Sequence, residues 1–256
     1  MAGRKDLREH VERLRALSFK VGTYRPPSEG GSASLLLRVT ENCPWNRCTF
    51  CEMYKGHRFV YRPVEEIKAD IDRVAAIRDE ITAVSWKLGR GGKSTRDAGA
   101  ALLAEGRDLI ENAGFITVFN WLSSGGRTAF LQDADSMIMR SPEFVAALKH
   151  LRETLSSLTR VTTYARSKTL AQRRPEELRM IREAGLDRLH IGLETGDDAL
   201  LTLVRKGVTS AEQIEGGRKA IAAGFQVSEY WMPDLGGRGR WRAPAENTAS
   251  AVSSIN

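Results

Sequence analysis

From residue 129 onward the chain alternates between short apolar runs and amphipathic segments, and that alternation limits the folds open to it. Ala129–Leu131, Arg160–Tyr164, Arg188–Leu193 and Gln226–Met232 read as strands. Pro142–Leu155, Leu170–Ala184 and Ser210–Ala223 read as the intervening helices, and Pro244 opens another. An earlier apolar run, residues 34–40, makes a fifth strand. Two helices close on Ala-Gly, at Gly185 and Gly224, where glycine suits a left-handed C-cap. Repeated βα units imply a parallel sheet with right-handed crossovers, so the expected class is α/β.

The first half is less uniform. Arg4–Leu17 has Leu7, Val11, Leu14 and Leu17 at helical spacing. Residues 25–33, with Pro26-Pro27 and Gly30-Gly31, have linker chemistry, so 1–33 reads as a helix and linker ahead of a core at 34–256. Pro63 suits the first turn of a helix reaching about Ile77 or beyond, with Glu65, Glu66 and Asp70 favourable to its dipole. Residues 86–126 read as an irregular insert containing one helix, Ala98–Ala113. Its Trp86 and Trp121 read either as core or as walls of a substrate pocket.

All three cysteines fall in one run, Cys43-Pro44-Trp45-Asn46-Arg47-Cys48-Thr49-Phe50-Cys51, straight after the first strand. In parallel βα folds ligands gather at the C-terminal ends of strands, so the loop stands where a site is expected. Thiolates at such short spacing hold iron–sulfur clusters, and three of them leave one iron of a four-iron cube without a protein ligand. Structural zinc wants four ligands, and here the fourth would be His57 or a distant group. A redox pair of Cys48 and Cys51 leaves Cys43 unused. An odd, clustered set argues against a disulfide framework and for a reducing, cytoplasmic compartment.

The cysteine run resembles the cluster motif of radical S-adenosylmethionine (radical SAM) enzymes, with one extra residue in the first gap relative to the commonest form. The resemblance extends in order over residues 34–256. Phe50 matches the aromatic position that packs near the cofactor adenine. Asp133 and Asp135, after the second core strand, match the place that meets the methionine ammonium. Arg166 would meet the carboxylate, and Glu194, in Gly192-Leu193-Glu194-Thr195-Gly196, the ribose or methionine end. Leu235 lies in the segment resembling the adenine-side loop. The resemblance implies a partial (β/α)6 TIM-type barrel with parallel strands, here truncated after the fifth βα unit. It also implies metal ligands Cys43, Cys48 and Cys51, the cofactors 4Fe–4S cluster and S-adenosylmethionine, and a low-potential electron donor such as flavodoxin or ferredoxin. The implied reaction is reductive cleavage of S-adenosylmethionine to a 5′-deoxyadenosyl radical that abstracts hydrogen from an unidentified substrate. The loosest subgroup likeness is to anaerobic porphyrin cyclases and elongator-type proteins.

The rival reading is a non-catalytic iron–sulfur or zinc module with a basic, RNA-binding surface. Net charge is +7, with dense runs at Arg173-Arg174 and Arg238–Arg242, though solvated helix faces are the better account of such charge. Nucleic acid is therefore the less favoured partner. Gly91-Gly92-Lys93-Ser94 lacks the upstream glycine of a phosphate loop, since Lys87 stands there. No G-x-S-x-G marks a serine hydrolase, and the four histidines show no metal spacing. No run approaches 18 apolar residues, and the charged start argues against export. Additional cysteines for a second cluster, as methylthiotransferases need, are absent from the sequence.

Overall fold

The computed structural model describes residues 4–26, 33–93 and 95–255. Pro27, Gly30-Gly31 and Ser94, named above, lie outside the described residues. Among the described residues no helix is long and apolar enough to cross a membrane.

The chain begins with α1 (Arg4–Ala16), β1 (Ser34–Arg38), β2 (Thr40–Glu41), β3 (Val60–Tyr61) and α2 (Val64–Lys87). Next come α3 (Thr95–Glu105), a 3-10 turn at Arg107–Glu111, α4 (Ala113–Ser123) and β4 (Thr128–Gln132). A 3-10 turn at Ser136–Ile138, α5 (Ser141–Thr154), β5 (Arg160–Ala165), α6 (Ser167–Gln172) and α7 (Pro175–Glu183) follow. The chain closes with β6 (Arg188–Glu194), α8 (Asp198–Leu203), α9 (Ser210–Ala222), β7 (Gln226–Trp231) and α10 (Arg242–Ile255). Five strands form one sheet in the order β1-β4-β5-β6-β7. Apart from the β2–β3 pair, strands are added in chain order without reversal. That is how a singly wound βα sheet grows, whereas a doubly wound sheet reverses at a switch point.

The residues form two compact units. One holds the described residues up to Arg38, Pro63–Phe130 and Lys149–Arg160. Its spine is α2, which buries Ile67, Ile71, Val74, Ile77, Ile81 and Val84 at steps of three and four residues. Each buried aliphatic side chain of this kind contributes about 1.5–3 kcal/mol. Pro63 is the N-cap of α2 rather than part of its first turn, and the helix runs ten residues past Ile77 to Lys87. The segment expected to carry one helix carries α3 and α4. Gly106, at φ −130° and ψ 82°, ends α3, and Asn112, whose Oδ1 accepts from Phe115 N at 3.0 Å, caps α4. Its Nδ2 donates to the Leu14 and Leu17 carbonyls at the end of α1. Trp121 is fully buried core, while Trp86 is exposed.

The other unit holds Val39–Arg62, Leu131–Leu148 and the described residues from Val161 on. Here β5 and β6 pair in parallel, as do β6 and β7, with Tyr164 opposite His190 and Gly192 opposite Tyr230. Alternation puts Leu189, Ile191 and Leu193 on one face of β6, all fully buried. His190 stands on the other face, against Tyr164 and Tyr230 with ring centroids 6.1 and 5.6 Å away, so it is packed. The expected helix 170–184 is two helices. Arg173 and Arg174 are both extended, and Pro175, first residue of α7, disfavours helical geometry at Arg174 before it. Arg173 turns inward, its Nε 2.7 Å from the Met137 carbonyl, so half of that basic run is structural. Gly185 and Gly224 take φ of 112° and 87°, the left-handed C-caps expected of them.

Candidate active site

The cysteines lie on the loop between β2 and β3, a pairing too short to have shown as a sequence pattern. Thr40 faces Tyr61 and Glu41 faces Val60 in an antiparallel register that closes the loop at its base. Asn42 and Asn46 take positive φ of 67° and 48°, which asparagine tolerates better than most residues. Asn42 Nδ2 donates to the Arg58 carbonyl at 2.7 Å across the loop. Asn46 Nδ2 donates to the Tyr54 carbonyl at 2.5 Å, and Lys55 Nζ to the Asn46 carbonyl at 2.9 Å.

Two bonds fasten the loop to the segment after α8. Thr49 N donates to the Val204 carbonyl at 3.0 Å, and Trp45 Nε1 to the Arg205 carbonyl at 2.7 Å. The Trp45 ring lies so close to Gly207 that an added Cβ would come 2.2 Å from it. The Arg47 and Arg166 guanidinium carbons stand 5.0 and 5.2 Å from the indole centroid.

All three cysteines are free and half-buried. Burial pushes the Cys48 thiol up; Lys206 and Arg166 pull it down, and Cys43 and Cys51 add to the rise. Asn46 N points at Cys43 Sγ at 3.4 Å, a hydrogen bond suited to a thiolate. Among the described residues no three His, Cys, Asp or Glu side chains converge on a single-ion position. An iron–sulfur cube takes each thiolate at a different corner, so its donors need not converge. Three free thiols on a pinned loop, with cations beside them, fit that group.

The other candidate residues divide. Asp133 is buried, and its Oδ2 accepts from Asn42 N at 2.7 Å, holding the start of the cysteine loop. Asp135 is fully buried and engaged with the start of α6: it accepts from Thr169 Oγ1 at 2.5 Å and Arg166 N at 3.3 Å. Desolvation raises its carboxyl to about 6 despite those bonds. Arg166 donates from one terminal nitrogen to the Lys206 carbonyl at 3.2 Å. Glu194, at φ 64° on the bulged end of β6, pairs with Lys206 Nζ at 2.9 Å. That ammonium stands 5.8 Å from the Phe50 ring centroid. Leu235 lies half-exposed on the turn after β7, three residues beyond Met232, whose N–H donates to the Glu194 carbonyl at 3.0 Å.

Cys48, Phe50, Arg166 and Glu194 are thus gathered around one residue that pattern reading passed over, Lys206. The available signal was Lys206-Gly207 following a short helix, with Gly207 at φ 71°. A second polar feature lies on β7. Glu229 faces a cavity of about 540 Å³ lined by Ile221, Val227, Trp231 and residues of α10. Both its carboxylate oxygens are buried without a hydrogen-bond partner.

A family model described as the Radical SAM superfamily matches residues 37–239, well over half of the chain. A search of curated proteins finds no match. Among solved structures, methylornithine synthase (PylB) aligns at 16% identity and a TM-score of 0.49, covering 100% of this chain and 62% of that one. The cobalamin-dependent S-adenosylmethionine radical enzyme OxsB, with aqua-cobalamin and S-adenosylmethionine bound, aligns at 17% and 0.47, covering 77% and 23%. Coproporphyrinogen III oxidase (HemN) from Escherichia coli aligns at 12% and 0.47, covering 96% and 50%. The chain spans less than two-thirds of the length of each of these proteins.

Proposed function

Because the chain belongs to the radical SAM superfamily, we propose that residues 34–256 are the core of a radical SAM enzyme holding a 4Fe–4S cluster through Cys43, Cys48 and Cys51. The observation that carries this reading is the loop itself: three free thiols on a segment closed by β2–β3, pinned to Val204 and Arg205, with Lys206 near the Phe50 ring and Arg166 over the Trp45 ring of the same loop. Cys43, Cys48 and Cys51 would hold the cluster, and the chemistry it would supply is one-electron reduction of S-adenosylmethionine, breaking its C5′–S bond to give methionine and a 5′-deoxyadenosyl radical able to take a hydrogen atom from a substrate.

The chain's own contribution is positioning and charge. The β2–β3 pairing and the asparagine bonds fix the loop before any ligand arrives, which lowers the ordering cost of binding. Phe50 offers an apolar wall beside the thiols for an adenine ring. Glu194, whose Oε1 is held by Lys206, offers its carboxylate to the ribose or the ammonium end of the nucleotide. Arg166, fixed by Trp45 and the Lys206 carbonyl, supplies positive charge for a carboxylate. Leu235 contributes apolar surface on the adenine side. Asp133 and Asp135 are the carboxylates offered to the methionine ammonium. Asp133 also anchors the loop start through Asn42 N, and Asp135 anchors the start of α6.

The substrate is unassigned, and the electron donor is a low-potential one-electron carrier of the flavodoxin or ferredoxin type. The test is anaerobic reconstitution with iron and sulfide, then dithionite and S-adenosylmethionine. Brown protein with about four irons per chain that forms 5′-deoxyadenosine is the expected result. A colourless protein that binds only zinc overturns the reading.

A further inference from the structure

We propose that Lys206 is the residue that sets the electrostatic potential at the cysteine loop and locks Glu194 beside it, a positioning role resting on the radical SAM reading above. Its ammonium is nearly enclosed, with the Lys206 side chain 11% exposed and the Glu194 side chain 14%. At 2.9 Å from Glu194 Oε1 and 5.8 Å from the Phe50 centroid, it stands between β6 and the loop. A charge so enclosed is screened by water far less than a surface lysine.

The pair has a built place. It lies over Gly192, where an added Cβ would come 2.6 Å from Glu194 Oε1 and 3.0 Å from Lys206 Nζ. The positive φ of Gly207 and the Trp45 bond to the Arg205 carbonyl hold the backbone on either side of Lys206. Arg166 holds the Lys206 carbonyl itself. Backbone and head group are thus fixed separately, as a residue with a directional task requires. The acidic groups facing the ammonium are Glu194 on β6 and Glu229 on β7, and burial keeps the Glu229 carboxyl neutral at pH 7. One unit of positive charge beside a cluster favours its reduced, more negative state and so raises its reduction potential.

Three variants of the reconstituted full chain test this: Lys206→Met, Lys206→Arg and Gly192→Ala. The readout is the midpoint potential from a dye-mediated titration followed by electron paramagnetic resonance, with iron content measured on each sample. Lys206→Met should move the reduced-to-oxidised ratio at fixed solution potential about tenfold toward oxidised, about 59 mV for a one-electron couple. Lys206→Arg should restore most of that shift. Gly192→Ala, which keeps the charge but displaces the pair, should shift the potential in the same direction by less. If Lys206→Met fails to take up cluster, the shift in Gly192→Ala carries the test, with Lys206→Arg as the charge-keeping control. Unchanged potentials across the variants overturn the role of Lys206 alone. A wild-type chain that takes up no cluster overturns the functional reading and this inference with it.

Discussion

Asp133 accepts a hydrogen bond from the backbone N–H of Asn42 at 2.7 Å, so the end of β4 holds the first residue of the cysteine loop. The bond is buried on the aspartate side, and Asn42 is strained at φ 67°. A carboxylate accepting a main-chain N–H makes a charge-assisted bond, stronger than a neutral one. Asp133→Ala should cost about 1–3 kcal/mol of stability by chemical denaturation. It should also lower iron uptake per chain, whereas Asp133→Asn, which keeps an acceptor, should lose less of both.

Replacing any one of Cys43, Cys48 or Cys51 by serine removes one corner ligand while leaving the loop's backbone bonds in place. Each single variant should lose most of its reconstituted iron and its visible absorbance and keep its far-ultraviolet circular dichroism. A variant that retains full iron would show that its sulfur is not a ligand.

Gly207 combines a left-handed φ of 71° with the Trp45 ring, 2.2 Å from where a Cβ would sit. Gly207→Ala must strain the backbone and displace the indole together. The expected cost is about 1–3 kcal/mol, accompanied by a change in tryptophan fluorescence as Trp45 moves off the Arg205 carbonyl. Trp45→Phe, which loses only the N–H bond, should be milder.

Burial pushes Glu229 up to about 8 from the ordinary 4.5, with Lys206 opposing and Glu194 reinforcing the shift. The native chain keeps a proton there that the unfolded chain releases. Stability from this group is therefore present below the unfolded value and is lost as pH rises through about 8. Unfolding free energy should fall by a few kcal/mol between about pH 5 and pH 9, at up to about 1.4 kcal/mol per pH unit. Glu229→Gln, neutral throughout, should flatten that profile and be the more stable chain at the alkaline end. Identical slopes for the two proteins would show that Glu229 does not carry the effect.

Much of the fold was legible because it is written in local periodicity. Val11 and Leu14 of α1, the apolar alternation of β6 and the glycines at 185 and 224 each report their own backbone state. The candidate metal ligands were legible for a similar reason: three thiols within nine residues make a donor set on one short segment. The β2–β3 pairing escaped because two residues a side carry no period, and α6 and α7 were merged because Pro175 alone marks their boundary.

The sequence by itself determined the chain order of the five sheet strands, the place of the cysteine loop after the first of them, and the chemistry of its donors. Tertiary structure alone decided that Lys206 meets Glu194, that Asp133 holds Asn42, and that Asp135 serves α6. Helix and strand periods arise from bonds between near neighbours and leave a repeating imprint on the residues. A contact between side chains on different elements depends on how those elements pack, and no short stretch of residues records that.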